Sequence, residues 1–371
     1  MSLPRLLTRR HSSFVPRYAF PKYNIRKSDF KGHQMKALKK FEYLAPQLKM
    51  IIELRDIRAP LSTRNVLFDK ILFSKKYDLE RLIVYTKSDL MSHANSREYL
   101  KKLASWHDQM NEKFIIIDCR KVSDAKNLMD IINWSSKKTL EEGIPLPMGF
   151  RALVTGVPNL GKSTLVNSLR MLNADTYDPE RIGRRKNIKV AKTGNVAGVT
   201  RSTSECIRIS PSKSTQGVYL IDTPGIGLPG RASTDQRFLA QALCGCIKNN
   251  LIDPVILADF LLYTMNLQNC KHGEWYSSST TNPTNDIDEV LNRLKSLKDL
   301  RKDDTAIALK WVNEWSKNGR DIVFDVEMLL SPDEFSYKDY VVQELKKLSD
   351  FEINAASTIK RHGANRSVFQ L

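Results

Sequence analysis

The chain has 371 residues, 41% hydrophobic and 27% charged, a balance that fits about two folded domains and excludes wholesale disorder. Its 59 lysines and arginines outweigh 41 acidic residues, and the resulting net charge of +18 implies an anionic partner such as nucleic acid, phosphate or a membrane surface. No apolar run approaches the roughly 18 residues of a bilayer span, and five cysteines without a C-x-x-C pair argue against a disulfide framework or a structural zinc.

The first 28 residues hold seven basic side chains and no acidic one, with Leu3, Leu6, Leu7, Phe14 and Val15 interspersed. That is the composition of a mitochondrial transit peptide, the other reading being a basic arm that touches RNA. Beyond it, short β-rich runs predict buried strands at 50–54, 82–85, 114–117, 152–155 and 218–221, separated by helices such as 96–109 and 162–169. This alternation predicts an α/β fold with a mostly parallel sheet and helices on both faces. A Pro/Gly-rich joint at 143–149 falls in its middle. After residue 229 the strand signal stops, and helical spacing at 238–247, 254–266, 287–300 and 340–348 predicts a mainly helical second domain over 232–371. The α/β domain is then expected over 29–231. Trp311, Trp315 and Phe324 are expected in the core of the helical part, with Cys244 and Cys246 buried on a helix, and Cys270 with His272 makes no metal site.

The segment Gly156-Val-Pro-Asn159-Leu160-Gly161-Lys162-Ser163-Thr164 fits G-x-x-x-x-G-K-[ST] between an expected strand and an expected helix. The glycines let backbone N–H groups and the helix N-terminus face phosphates. In such a loop Lys162 reaches the β- and γ-phosphates and the Ser163 hydroxyl ligates Mg²⁺. Asp222-Thr-Pro-Gly225 follows the next strand; its carboxylate is placed to hold Mg²⁺ through water and the Gly225 amide to sense a γ-phosphate. Between the two, Thr200 in Gly198-Val-Thr-Arg is placed to close over the metal.

Thr86-Lys87-Ser88-Asp89, after the strand expected at 82–85, is close to the guanine-reading N-K-x-D, with Thr86 where Asn is usual. A second base-side loop is expected at Asp118-Cys119-Arg120, a poor match to Ser-Ala-Lys. These base-side elements precede the phosphate loop, the reverse of the usual order. A circular permutation keeps the site while moving the termini, and the 143–149 joint then becomes the new connection.

Together these motifs resemble the circularly permuted GTPases of the YlqF/RbgA family, and within it the mitochondrial ribosome-associated branch. Leu54-Arg-Asp56-Ile-Arg58-Ala-Pro60-Leu-Ser62-Thr-Arg64-Asn65 is similar to that family's D-A-R-x-P-x-S-x-R-N, and Phe30-Lys-Gly32-His33-Gln-Met35-Lys36-Ala37 to its F-P-G-H-M-x-K-A. The resemblance spans about residues 29–230, departing at Lys31, at Thr86 and in the Asp118 loop. It implies slow, RNA-stimulated GTP hydrolysis in assembly of the mitochondrial large ribosomal subunit, with GTP or GDP, the subunit and its rRNA as partners and no DNA. It also implies a matrix location with peripheral association with the inner membrane.

The position after Gly225 is Ile226, which cannot align water, so the resemblance nominates His33 as the catalytic residue beside Lys162 and Thr200. It further implies that Asn159 recruits K⁺ alongside Mg²⁺. Six basic residues crowd 181–192, and Lys31, Lys36, Lys39 and Lys40 surround His33, as expected for rRNA backbone contact. Residues 306–327 resemble the family's rRNA-contacting C-terminal module. Two readings stand beside this one: an RNA-binding scaffold with little GTP turnover, and a P-loop ATPase or kinase in which Asp89 is accidental.

Overall fold

The computed structural model describes residues 14–25, 27, 41, 43–73, 78–91, 97–177, 206–209, 217–227, 233–247, 251–268, 283–297, 303–330 and 335–361. Among them six strands form a sheet: β1 (Met50–Asp56), β2 (Glu80–Thr86), β3 (Lys113–Ile116), β4 (Phe150–Thr155), β5 (Ile207–Arg208) and β6 (Val218–Asp222), in the spatial order β3-β2-β1-β4-β6-β5. Every pairing is parallel except that of β5 with β6. Ile52 of β1 lies opposite Leu82 on one side and Val154 on the other, so β1 is central, and all seven of its residues are buried. The five expected strands are present within two residues at each end; the short edge strand β5 was not expected.

Helices α1 (Val66–Phe73), α2 (Arg97–Met110), α3 (Val122–Glu141) and α4 (Lys162–Tyr177) alternate with the strands, and α5 (Asp235–Leu243), α6 (Pro254–Leu267), α7 (Ile287–Leu297), α8 (Asp304–Asn318), α9 (Val326–Leu330) and α10 (Tyr337–Arg361) follow them. Local chemistry sets several boundaries. Thr234 caps α5 by accepting from the Arg237 N–H, and Asp253 caps α6 by accepting from the Val255 N–H with Pro254 in the first turn. Helix α5 stops at Leu243, short of the expected 247, because the chain turns through Gly245 at φ +75°.

One face of the sheet, through Ile52, Leu54, Val154 and Leu220, packs against α3 and α4, and the same apolar cluster runs on into α5, α6, α7 and α8. Helix α6 is buried on every face from Leu257 to Leu267, mostly through apolar side chains, so it forms the spine of that helical layer. Trp311 and Phe324 lie in this cluster, as do Cys244 and Cys246. On the other face, Ile83 and Tyr85 meet α2 and α10 through Leu103, Trp106, Tyr337 and Val341, while Ile51, Leu153 and Ile221 pack on Phe41 and Leu48.

The architecture is a P-loop GTPase-type α/β domain followed by a mainly helical region. The strand that feeds the phosphate loop, β4, is fourth in the chain but sits at the sheet's centre, after β2 and β3, which feed the base-side loops. That order is a circular permutation. The joint at 143–149, with Gly143 and Gly149 both at φ +76°, links α3 to β4.

Candidate functional site

The loop 156–161 leaves the carboxyl end of β4 and turns directly into α4. Gly156 and Gly161 have φ of +138° and +86°, and Asn159 takes +62°. A Cβ on Gly156 would stand 2.5 Å from the Leu54 carbonyl oxygen, so only glycine lets the loop start this close to β1. The Lys162 ammonium folds back to donate to the Val157 carbonyl at 2.7 Å. Burial pushes Lys162 down to about 8, with the Asp222 carboxylate opposing the shift. Leu160 is buried beneath the loop, and the Thr164 carbonyl accepts from Ser168 Oγ.

Asp222 ends β6 beside this loop. Its Oδ2 accepts from Ser163 Oγ at 3.0 Å, and burial raises its carboxyl against the pull of Lys162 and Ser163. Hydroxyl and carboxylate oxygens converging beside a phosphate loop suit a hard cation that keeps most of its other ligands as water and phosphate, as Mg²⁺ does. The Asp222-Thr-Pro-Gly225 segment lies flat on the loop. Thr223 bonds the Val154 carbonyl through both N–H and Oγ, the Ile226 N–H donates to the Gly156 carbonyl at 3.1 Å, and a Cβ on Gly225 would stand 2.5 Å from Pro158 Cα. Ile226 is fully buried, and its carbonyl accepts from Asn65 Nδ2 at 2.8 Å.

The base-side loops close the other flank. Lys87 takes a left-handed conformation, φ 63°, and its ammonium sits 2.8 Å from Asp56 Oδ2 and 2.9 Å from the Cys244 carbonyl. Thr86 is buried and donates to the Arg55 carbonyl at 3.2 Å, so the residue standing in for Asn ties the loop to β1. The Ser88 N–H donates to the Ile117 carbonyl, joining this loop to the one at Asp118. Arg120 grips that loop: it meets Asp118 Oδ1 at 3.0 Å through Nε and Asp89 Oδ2 at 2.7 Å through Nη2. Cys119 is buried against the phosphate loop, its Sγ 3.3 Å from where a Cβ on Gly161 would lie, and its carbonyl accepts from Ser168 of α4.

The fold thus brings Thr86, Lys87, Ser88, Asp89, Asp118 and Cys119 to the same end of the sheet as Asn159 through Thr164, Asp222 and Gly225. His33, Thr200, the basic run 181–192, the lysines around His33, and the Cys270/His272 pair lie outside the described residues. Three contributors were not expected: Asp56, visible only as part of a resemblance, and the Cys244 and Gly245 carbonyls, which arrive from the turn after α5. Asn159 Nδ2 donates to that Gly245 carbonyl at 3.2 Å.

Asp56 organises the junction. It is fully buried and accepts from the Arg58 N–H, Nε and Nη2, each at 3.0 Å, as well as from Lys87. Burial alone would raise its carboxyl, but the charges of Arg58 and Lys87 outweigh that and hold it well below the usual carboxylate range. Arg58 in turn lies 4.8 Å over the Phe324 ring and donates to the Ser316 carbonyl.

Residues 151–303 match the family profile described as "50S ribosome-binding GTPase". The chain is 53% identical over 362 residues to Mitochondrial GTPase 1 of Saccharomyces cerevisiae, covering 96% of each protein. It is 32% identical over 269 residues to Mitochondrial ribosome-associated GTPase 1 of Xenopus tropicalis, covering 71% of this chain and 78% of that one. Among solved structures it has a distant likeness to YjeQ from Thermotoga maritima, with TM-score 0.29, 15% identity, and 72% and 71% of the two chains covered. With more than half its residues shared across nearly its whole length, the chain belongs to the mitochondrial GTPase 1 family.

Proposed function

We propose that this protein is a GTP-hydrolysing assembly factor for the mitochondrial large ribosomal subunit, a permuted GTPase of the YlqF/RbgA kind needed for mitochondrial translation. The observation that carries the reading is the convergence of a phosphate loop, the Ser163–Asp222 pair and the Lys87/Asp89 loop at one end of the sheet. The names of its mitochondrial and ribosome-associated relatives support a mitochondrial location and a ribosomal partner.

In this reading the backbone N–H groups of residues 159–163 at the start of α4 bind the phosphates, with Lys162 giving up its bond to Val157 to reach them. Ser163 and Asp222 would hold a Mg²⁺ ion, which would supply charge neutralisation at the phosphates. Lys87 lies along the base, and Asp89 accepts from the guanine N1 and N2 hydrogens. Gly225, pressed on Pro158, reads the γ-phosphate through its N–H, and Asn65 passes any shift of Ile226 to the loop after β1. Ile226, buried and apolar, leaves the alignment of water to another group, which we assign to His33, with Thr200 completing the metal side. Asn159 would offer its amide oxygen to a K⁺ ion. The protein acts in the matrix, on the matrix face of the inner membrane, through the basic stretches at 31–40 and 181–192, and rRNA contact speeds hydrolysis.

The test is GTP turnover with and without mitochondrial large subunits, in K⁺ and in Na⁺, with Lys162→Ala as the dead control and His33→Ala as the probe. Co-sedimentation with the subunit should favour a non-hydrolysable GTP analogue over GDP. Equal sedimentation in both states, with no stimulated turnover, sinks the assembly-factor reading. The scaffold reading has a specific observation in its favour: Thr86 bonds β1 and Asp89 is shared with Arg120, arrangements that weaken guanine binding. It predicts sedimentation that ignores the nucleotide.

A further inference from the structure

Asp259 belongs to the buried spine helix α6, and its side chain is 2% exposed. A carboxylate placed there needs charge and hydrogen-bond partners. The amino-terminal segment brings them. Arg17 forms an ion pair with Asp259 Oδ1, the same guanidinium donates to the Asp259 carbonyl at 3.2 Å, and the Tyr23 hydroxyl donates to Oδ2 at 2.8 Å.

The rest of the segment is tied down just as firmly. Asn285, ahead of α7, donates to the Val15 carbonyl at 2.9 Å and accepts from the Arg17 N–H, and the Tyr263 hydroxyl donates to the Tyr18 carbonyl at 3.0 Å. The Phe20 ring packs edge-on against Phe260 at 5.1 Å and lies 5.4 Å from Tyr263. Lys27 reaches the start of α5, 2.6 Å from the Ser233 carbonyl and 2.6 Å from Asp235. Cutting the chain at the end of its acid-free stretch would strip Asp259 of its counter-charge and open an aromatic seam on α6.

We infer that residues 14–25 and Lys27 belong to a permanent strap of the mature fold, and that removal of the import arm stops upstream of Phe14. The processing half of this inference rests on the proposed mitochondrial import; the strap does not. Arg17 and Lys27 would then be structural residues that also contribute to the basic, acid-free composition of the import signal.

Two measurements test it. A full chain tagged at its carboxyl end is recovered from mitochondria, and its first residue is mapped by intact mass and peptide sequencing. A start at or before Phe14 is expected, and a start beyond Arg17 overturns the proposal. A chain found outside mitochondria with Met1 intact overturns the import reading instead, and leaves the strap to the second measurement. In that arm, purified full-length Arg17→Ala and Phe20→Ala proteins should each melt about 5 °C or more below the parent, and a chain lacking residues 1–13 within about 2 °C of it. Melting points unchanged in both variants refute the strap. If Arg17→Ala fails to fold, the milder Tyr23→Phe replaces it, with a smaller drop expected. Adding Asp259→Asn to Arg17→Ala should recover at least half of the loss, because it removes the stranded charge; no recovery refutes the ion pair as the fastening.

Discussion

Replacing Asp56 by asparagine keeps the shape of the side chain but leaves two cations without their counter-charge. Arg58 is 1% exposed and Lys87 24%, and both bond the Asp56 carboxylate at 3.0 Å or less. Removing one partner of a buried pair costs about 3–5 kcal/mol, because the surviving charge stays desolvated. At about 2–4 °C per kcal/mol, that loss lowers the melting point by roughly 6–20 °C. On the proposed role of Lys87 along the base, nucleotide affinity should fall as well, since Lys87 loses its Asp56 anchor. Lys87→Ala separates the two effects: Arg58 keeps its partner, so the melting point should move by only about 1–3 °C while GDP affinity drops about tenfold or more. The assays are thermal melting without nucleotide and titration with a fluorescent GDP analogue. If Asp56→Asn melts within about 2 °C of the parent and binds GDP normally, the carboxylate does not organise this junction and the reasoning fails.

Arg120→Ala frees the Asp89 carboxylate from an internal guanidinium that presents the same kind of donors as guanine. GTP and GDP affinity should rise severalfold while ATP affinity stays put, and a fall in guanine affinity would show that Arg120 instead supports the bound base. Lys162, pushed down by burial to about 8, should be drawn back up by bound phosphate. Nucleotide affinity is therefore expected to hold below pH 8 and to fall up to about tenfold per unit above it, with proton uptake on binding at pH 8.5 by calorimetry. A flat affinity from pH 7 to 9.5 would contradict it. For acid stability, burial would raise Glu53, but Arg55 and Arg81 outweigh it and hold it at about 2, below its ordinary 4.5. A depressed folded-state value means that its contribution is complete above about pH 4.5 and fades as pH falls towards 2. Glu53→Gln should be less stable than the parent at pH 7, with the gap closing by about 2–3 kcal/mol or more on acidification in denaturant titrations.

What was legible in the sequence was local. The phosphate loop needs two glycines, a lysine and a serine within eight residues, and the expected strand before it and helix after it are where β4 and α4 lie. The permutation was legible for the same reason, as the order of short motifs along a chain. Contacts between distant segments left no comparable trace. Lys87 bonds a carbonyl 157 residues away, and Asn65 one 161 residues away, through backbone atoms that any residue would provide. Arg17 was read as one more positive charge in an import arm, because composition does not reveal that a partner 242 residues on is buried and acidic. Charges inside β1 were equally opaque. Glu53 and Arg55 interrupt an apolar run, yet both are completely buried and paired with each other, and Glu53 also pairs with Arg81.

The segment just after β1 shows how the helical region and the nucleotide pocket form one mechanical unit. Its backbone is held from the carboxyl-terminal side: Asp325 accepts from the Leu61 and Ser62 N–H groups and from Ser62 Oγ, and Arg237 donates to the Leu61, Ser62 and Arg64 carbonyls while pairing with Glu344 of α10. Burial pushes Asp325 up to about 7, so this grip combines a costly carboxylate with the three donors that stabilise its charged form. The same segment reaches the pocket at both ends, through Asp56 to Lys87 on the base side and through Asn65 to Ile226 on the phosphate side. A displacement of the Asp222-Thr-Pro-Gly225 segment therefore cannot stay local. Ile226 would carry Asn65 with it, Asn65 the loop of Ser62, and Ser62 both Asp325 and the α5 side chains of Arg237 and Gln241. These bonds are buried hydrogen bonds and ion pairs, so breaking any one of them without a replacement leaves a buried polar group unsatisfied.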